Sequence, residues 1–299
     1  MIQLKGIMPP LTTPFDAEGN LDVARLSENV ARYNDTGLAG YVALGSNGEA
    51  IHLSSNERIQ VIKAIKQSAT SNHKIVAGIN EFSTRSAIEA TRAASEVGAD
   101  VALVVTPYFY KSAMTAEVLK RFFNEVADAS PLPIFIYNVP QNTGVVIDVP
   151  TIAALALHEN IIGLKDSSGN MGAMSDTLRL VPTDFNVFAG NGGILYPALS
   201  MGAKGAILAV ACVAPRACVE LFEAVQAGNH AKARELQNRL SPVAHIVTAG
   251  LGVSGLKAAL ELAGFFGGVP RAPLARANET NIEKVKSVLR ESGLFADME

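Results

Sequence analysis

The chain has 299 residues, 48% hydrophobic and 18% charged, with a formal net charge of −3. That length suits two average domains or one closed α/β barrel with added helices, and the near-neutral, interspersed charge gives no reason to expect nucleic acid as a partner. The start lacks a basic segment followed by a long apolar one, and no run reaches the roughly 18 apolar residues of a membrane span, so a soluble cytoplasmic protein with no membrane partner is expected.

Short apolar runs follow one another along the chain: Gly6–Phe15, Gly40–Gly45, Lys74–Ile79, Val101–Pro107, Pro133–Pro140, Ile161–Ser167, Asn186–Asn191 and Gly205–Val210. They are nearly continuous in apolar residues rather than alternating, which marks strands covered on both faces, as in a parallel sheet. Helical patterns lie between them. Ser54–Ala69 opens on Ser54 and Ser55 with Glu57 as capping-box partner and repeats Ile59, Ile62 and Ile65. Ser83–Asp100 closes on Gly98, a plausible residue for the turn after a helix. Eight such units predict a (β/α)8 TIM barrel over residues 1–210, with function in the loops after the strand C-termini. Residues 211–299, helical in pattern over Pro215–Gly250 and Gly252–Phe266, predict a C-terminal helical appendix packed on the barrel as one structural unit. Cys212 and Cys218 sit in apolar surroundings and read as buried free thiols.

Few residues suggest chemistry. The histidines (His52, His73, His158, His230 and His245) show no paired ligand spacing, so no metal is expected. The glycines of "FAGNGG", Phe188–Gly193, suit a tight turn better than a phosphate cradle. In "GSNGEA", Gly45–Ala50, Ser46 and Asn47 offer a hydroxyl and an amide beside approachable backbone, a grip for a small carboxylate or an ordinary turn. Lys165 ends the apolar run of "IIGLKDSSGN". Burial disfavours a charged ammonium, and a neutral amine attacks carbonyls to form Schiff bases; the plain alternative is a strand-end ion pair with Asp166. Tyr137, ending the preceding strand, places a phenol at the same rim, able to shuttle protons or simply to cap the core.

Taken together, "GSNGE", "TPYFY", "YNVPQNTG", "GLKDSSGN" and "GVPRAPL" resemble the dihydrodipicolinate synthase/N-acetylneuraminate lyase family of class I pyruvate-dependent aldolases, in family order and over nearly the whole chain. The resemblance implies a TIM barrel with Lys165 as the Schiff-base lysine and Tyr137 as the proton-relay tyrosine. It also implies no cofactor beyond that lysine, pyruvate as substrate, and a homotetramer built as a dimer of dimers. Ser46 and Asn47 match the two positions that handle the pyruvyl carboxylate and the relay hydroxyl, which are threonines in the synthases. Gly190 and Ile207 match residues lining the pocket near the lysine.

Three departures bear on substrate and control. Asn142 stands where the synthases carry an arginine that binds the aldehyde's carboxylate, and asparagine cannot replace that charge. With "GSNGE", "NTG" and "KDSSG", the pattern instead resembles 4-hydroxy-2-oxoglutarate aldolase, with Ser167 joining the polar wall. Phe109 replaces the family's usual relay tyrosine, leaving Tyr108, Tyr110 or a water molecule to complete the relay. Ile51, His52 and Phe82 stand where lysine-inhibited synthases bind their inhibitor and argue against that control. The expected reaction is reversible cleavage of 4-hydroxy-2-oxoglutarate to pyruvate and glyoxylate. The alternatives are condensation of pyruvate with aspartate semialdehyde, chemistry on a 2-keto-3-deoxy sugar acid, or, outside enzymes, a non-catalytic 2-oxo acid sensor.

Overall fold

A computed structural model of the chain describes residues 4–295. All eight expected runs form parallel strands: β1 (Gly6–Met8), β2 (Gly40–Ala43), β3 (Lys74–Ile79), β4 (Val101–Val105), β5 (Ile134–Asn138), β6 (Ile161–Asp166), β7 (Asn186–Ala189) and β8 (Gly205–Ile207). The hydrogen-bonded order β1-β8-β7-β6-β5-β4-β3-β2 runs round a ring. β1 and β2 complete it: Leu11 N–H donates to Val42 O at 3.0 Å, and Val42 N–H donates to Pro9 O at 3.0 Å. This is a TIM barrel. The first run is shorter than its apolar stretch suggests because Pro9 and Pro10 have no N–H to give a ladder, so β1 stops at Met8.

Two apolar layers hold the barrel. Inside, Met8, Val42, Val76, Leu103, Phe135 and Phe188 form a compact plug with Tyr137 and Ile207 above it. Phe135 and Phe188 meet edge to face at 5.4 Å, and both depend on inward glycines. A Cβ on Gly163 would lie 2.3 Å from the Phe135 ring, and one on Gly205 would lie 2.7 Å from the Phe188 ring. Glycine here replaces side-chain volume rather than supplying backbone freedom. The plug therefore fills the barrel beneath the C-terminal rim, the end where barrels of this kind bind ligands.

Outside, the strands pack on surrounding helices. Ser55–Ser68 begins with the complete capping box of Ser54 and Glu57, and Thr84–Glu96 is capped by Ser83 before Gly98 turns at φ 93°. Beyond β8, the chain continues through helices Pro215–Gln226, His230–His245, Gly252–Leu262 and Glu279–Ser292. Their Leu221, Leu240, Leu256 and Leu289 join the same buried layer as the outer faces of the strands. Cys212 and Cys218 are buried in that layer as free thiols, and burial pushes both thiols far above their ordinary value. A five-residue wide turn, Ile246–Gly250, joins the second and third of these helices and leans over the open rim. No helix among the described residues is long and apolar enough to cross a membrane.

Candidate active site

Parallel pairing places Tyr137 of β5 directly beside Lys165 of β6. Side chains alternate along a strand, so both point inward while Asp166 points to the other face. There its carboxylate accepts from Asn138 Nδ2 at 2.8 Å and from Ser168 Oγ at 2.8 Å. The expected alternative, an ion pair between Lys165 and its neighbour Asp166, is not formed. Among the described residues no carboxylate lies within ion-pair distance of Lys165, which is 3% exposed. Its Nζ instead stands 4.0 Å from the centroid of the Tyr137 ring. Burial pushes the Tyr137 phenol up, but the Lys165 charge and hydrogen bonds with Ser46, Lys165 and Ser167 outweigh it. The phenol is left below its ordinary value, nearer to the proton-shuttling range.

The turn after β2 brings Ser46 and Asn47 to the same rim. Leu44 at φ 59° and Glu49 at φ 53° bracket it in left-handed backbone, which L side chains adopt at a cost of about 1–2 kcal/mol each. Ser46–Gly48 forms a single tight helical turn, with Ser46 Oγ 3.4 Å from the Tyr137 hydroxyl. Thr13 Oγ1 donates to Gly48 O at 2.6 Å and anchors the turn to the loop after β1.

Asn142 and Ser167 come from the loops after β5 and β6. Gln141 Nε2 donates to Ser167 O at 2.9 Å and ties those loops together. Gly190, following β7, makes room for Ser167: a Cβ there would fall 2.0 Å from Ser167 Oγ. With Ile207 at the end of β8, these residues enclose a cavity of about 370 Å³ that contains every expected site residue except the two relay tyrosines. Among the described residues Lys165 is the only charged side chain lining it.

Tyr108 and Tyr110 part company. Tyr108 lines an adjoining cavity of about 280 Å³ together with Ser46, Tyr137 and Asn142. Tyr110, 73% exposed, lies against Phe109 on the outer surface, so it does not reach the pocket of its own chain. Ile51 and Phe82 are likewise exposed, Phe82 edge-on to Tyr108 at 5.0 Å, and His52 turns inward to Glu49.

Sequence reasoning missed one wall of the cavity. Val247, Thr248, Gly252 and Val253 cover it from the C-terminal helices. Only their place in a helical tail was legible, and nothing local marks them as pocket residues. Gln141 lay inside the quoted "YNVPQNTG" motif, where its amide was the available signal. Among the described residues no group of three or more His, Cys, Asp or Glu is placed to hold a metal.

The arrangement offers an amine, a phenol and a hydroxyl in contact, beside a turn rich in N–H donors and under an apolar wall. Such a pocket suits a small 2-oxo acid whose carbonyl meets the amine.

Comparisons with known proteins agree with that chemistry. The profile of the dihydrodipicolinate synthetase family matches residues 3–292. The 4-hydroxy-tetrahydrodipicolinate synthase of Archaeoglobus fulgidus is 34% identical over 292 residues, covering 98% of this chain and 99% of the relative. Dihydrodipicolinate synthase from Thermotoga maritima superposes with a TM-score of 0.93 at 30% identity, covering 98% of this chain and 100% of the other. The Acinetobacter baumannii enzyme, solved in complex with pyruvate, superposes with a TM-score of 0.92 at 33% identity, covering 97% and 99%. The expected nearer likeness to 4-hydroxy-2-oxoglutarate aldolase is not borne out, since the relatives found at this level are synthases. Enzymes of this group are class I carbon–carbon lyases that use a Schiff base on their own lysine and no metal. Matched along nearly its whole length, the chain belongs to the dihydrodipicolinate synthetase family.

Proposed function

We propose that the chain binds pyruvate as an imine on Lys165 and joins the resulting enamine to an aldehyde. The carrying observation is the unpaired, buried Lys165 Nζ set against the Tyr137 ring. The Lys165 amine, after giving up a proton, adds to C2 of pyruvate, and Tyr137 delivers the proton that lets the C2 hydroxyl leave as water. Loss of a proton from C3 turns the iminium into an enamine, whose C3 attacks the aldehyde carbon. Hydrolysis then frees the lysine. Ser46 lies beside the phenol to carry protons onward, and Ser46 with Asn47 holds the pyruvyl carboxylate so that the carbonyl faces the amine. Ser167, Gly190 and Ile207 shape the remaining wall, and the cavity Tyr108 shares with Ser46 and Tyr137 supports it, rather than Tyr110, as the residue that extends the relay.

For the aldehyde, the names of the relatives support aspartate semialdehyde, and so a 4-hydroxy-tetrahydrodipicolinate synthase reaction. One observation favours a second reading, cleavage of 4-hydroxy-2-oxoglutarate to pyruvate and glyoxylate. Asn142 lines the pocket, and among the described residues no cation besides Lys165 lines it to clamp a second carboxylate. Borohydride reduction with pyruvate should fix a stable adduct on the peptide carrying Lys165, and an unmodified peptide would sink the whole scheme. Parallel assays of aspartate semialdehyde condensation and 4-hydroxy-2-oxoglutarate cleavage then separate the two reactions.

The assembly proposed is a homotetramer, a dimer of dimers. Ile51, Phe82, Phe109 and Tyr110 form an exposed apolar rim that a second copy would cover, and light scattering checks it. A reducing cytoplasm suits the two free thiols.

A further inference from the structure

Beneath the Ser46–Asn47 turn lies a buried ion pair that the chemistry above does not use. Lys257, 1% exposed, places its Nζ 2.7 Å from Glu49 Oε1, and Glu49 is 2% exposed. The same ammonium donates to Thr13 O and Val269 O, each at 2.9 Å. The other carboxylate oxygen accepts from Arg271 N–H at 2.9 Å and faces His52 Nδ1 at 3.3 Å. Phe15 meets two cations, its ring centroid 4.6 Å from Lys257 Nζ and 4.2 Å from the Arg271 guanidinium carbon. The segments around Thr13, Glu49, Lys257 and Val269–Arg271 thus converge on one ion pair.

That carboxylate belongs to the residue ending the turn. Glu49 holds left-handed backbone, and its N–H donates to Ser46 O at 3.2 Å. Thr13 is tied in twice: its hydroxyl holds Gly48 O, and its carbonyl receives Lys257. The helix carrying Lys257 begins at Gly252 and Val253 in the pocket wall, about 7 Å along the axis from the ammonium's residue. One helix therefore both covers the pocket and anchors the turn.

A buried ion pair is a poor device for stability, because desolvation consumes most of its attraction, and a well-packed apolar pair often does as well. What it does supply is direction. We infer that Lys257 and Glu49 are positioning residues that latch the Ser46–Asn47 turn at the height needed to grip the substrate carboxylate. The inference rests on the pyruvate reading of that turn. Neither side chain lines the pocket, so both act through Ser46 and Asn47 rather than on the substrate.

The test separates the two half-reactions by steady-state kinetics, with borohydride trapping of pyruvate alongside. Lys257→Met is expected to lower kcat/KM for pyruvate by about 10–100-fold, the scale of a small misplacement of a binding group, while kcat/KM for the aldehyde stays within about threefold. Glu49→Gln, which keeps an acceptor for Arg271 N–H, should move the same constant in the same direction and carries the test if Lys257→Met does not fold. The double variant should be no worse than the more damaged single one, as expected for residues acting as a unit. A merely structural pair would lower the melting temperature and leave the pyruvate constant of folded protein unchanged, or lower both constants equally. Either result, with normal trapping in the wild type, overturns the latch alone. Failure of the wild type to trap pyruvate overturns the functional reading and the latch with it.

Discussion

Lys165 and Tyr137 are register partners on adjacent parallel strands, and the lysine nitrogen lies 4.0 Å from the centre of the tyrosine ring. Both side chains are buried, Tyr137 above the Phe135–Phe188 plug and Lys165 beside it. Their separate contributions can be taken apart by substitution.

Lys165→Ala should abolish the borohydride adduct and reduce turnover to background, since no other amine among the described residues lines the cavity. Intact-mass spectrometry after reduction checks it. An adduct of unchanged yield would place the imine elsewhere.

Tyr137→Phe keeps the ring and removes the proton carrier. Turnover should fall by about 10²–10⁴-fold while pyruvate still binds, the usual scale for losing a general acid–base group. The phenol also has a spectroscopic signature. It lies below its ordinary value of 10.0 through the Lys165 charge and its hydrogen bonds, against the upward push of burial. Ultraviolet difference titration of the wild type should show it ionising early, and Lys165→Met should raise that midpoint because burial then acts with less opposition.

Gly190→Ala should be damaging although alanine is small. The added Cβ falls 2.0 Å from Ser167 Oγ and 3.0 Å from Ser167 Cα, so Ser167 or the loop has to shift. Overpacking of this kind costs about 1–3 kcal/mol. Combining it with Ser167→Gly should recover part of the melting temperature, and a double variant as unstable as Gly190→Ala would argue against this clash as the cause.

Asn142→Arg tests the partner aldehyde. A guanidinium at the pocket wall should raise kcat/KM for aspartate semialdehyde by about tenfold or more, the value of a charge-assisted bidentate contact of 1.5–3 kcal/mol. If the natural enzyme already grips that carboxylate by other means, the rate will not rise.

Acid stability should depend on Glu57. Its carboxyl is held down at about 2, chiefly by the hydrogen bonds from Arg271, against an ordinary value of 4.5. A depressed carboxyl contributes stability that is complete above its unfolded value and is lost as the pH falls through the folded one. The wild type should therefore lose this contribution between about pH 4.5 and pH 2. Glu57→Gln should be less stable near neutrality and should lose less over that interval, as chemical denaturation at several pH values would show.

Much of this was legible in the chain. Continuous apolar runs spaced by capped helices announce a parallel barrel, because burial on both faces and N-terminal capping are local requirements that leave local marks. The "GLKDSSGN" and "IFIYNVP" runs each end on a reactive group, which places Lys165 and Tyr137 at one rim as soon as the strands are known to be parallel. Substrate choice was less legible: Asn142 suggested one aldehyde, whereas the relatives belong to another reaction.

Strand number, strand direction and the amine–phenol pair thus follow from patterns a few residues long. Three features do not: the inward orientation of Lys165 away from Asp166, the pocket wall from Val247 to Val253, and the Lys257–Glu49 pair, whose members are 208 positions apart. Each depends on contacts between segments distant along the chain, and no local composition records which distant segments will meet. Packing of the C-terminal helices over the open end of the barrel brings them together.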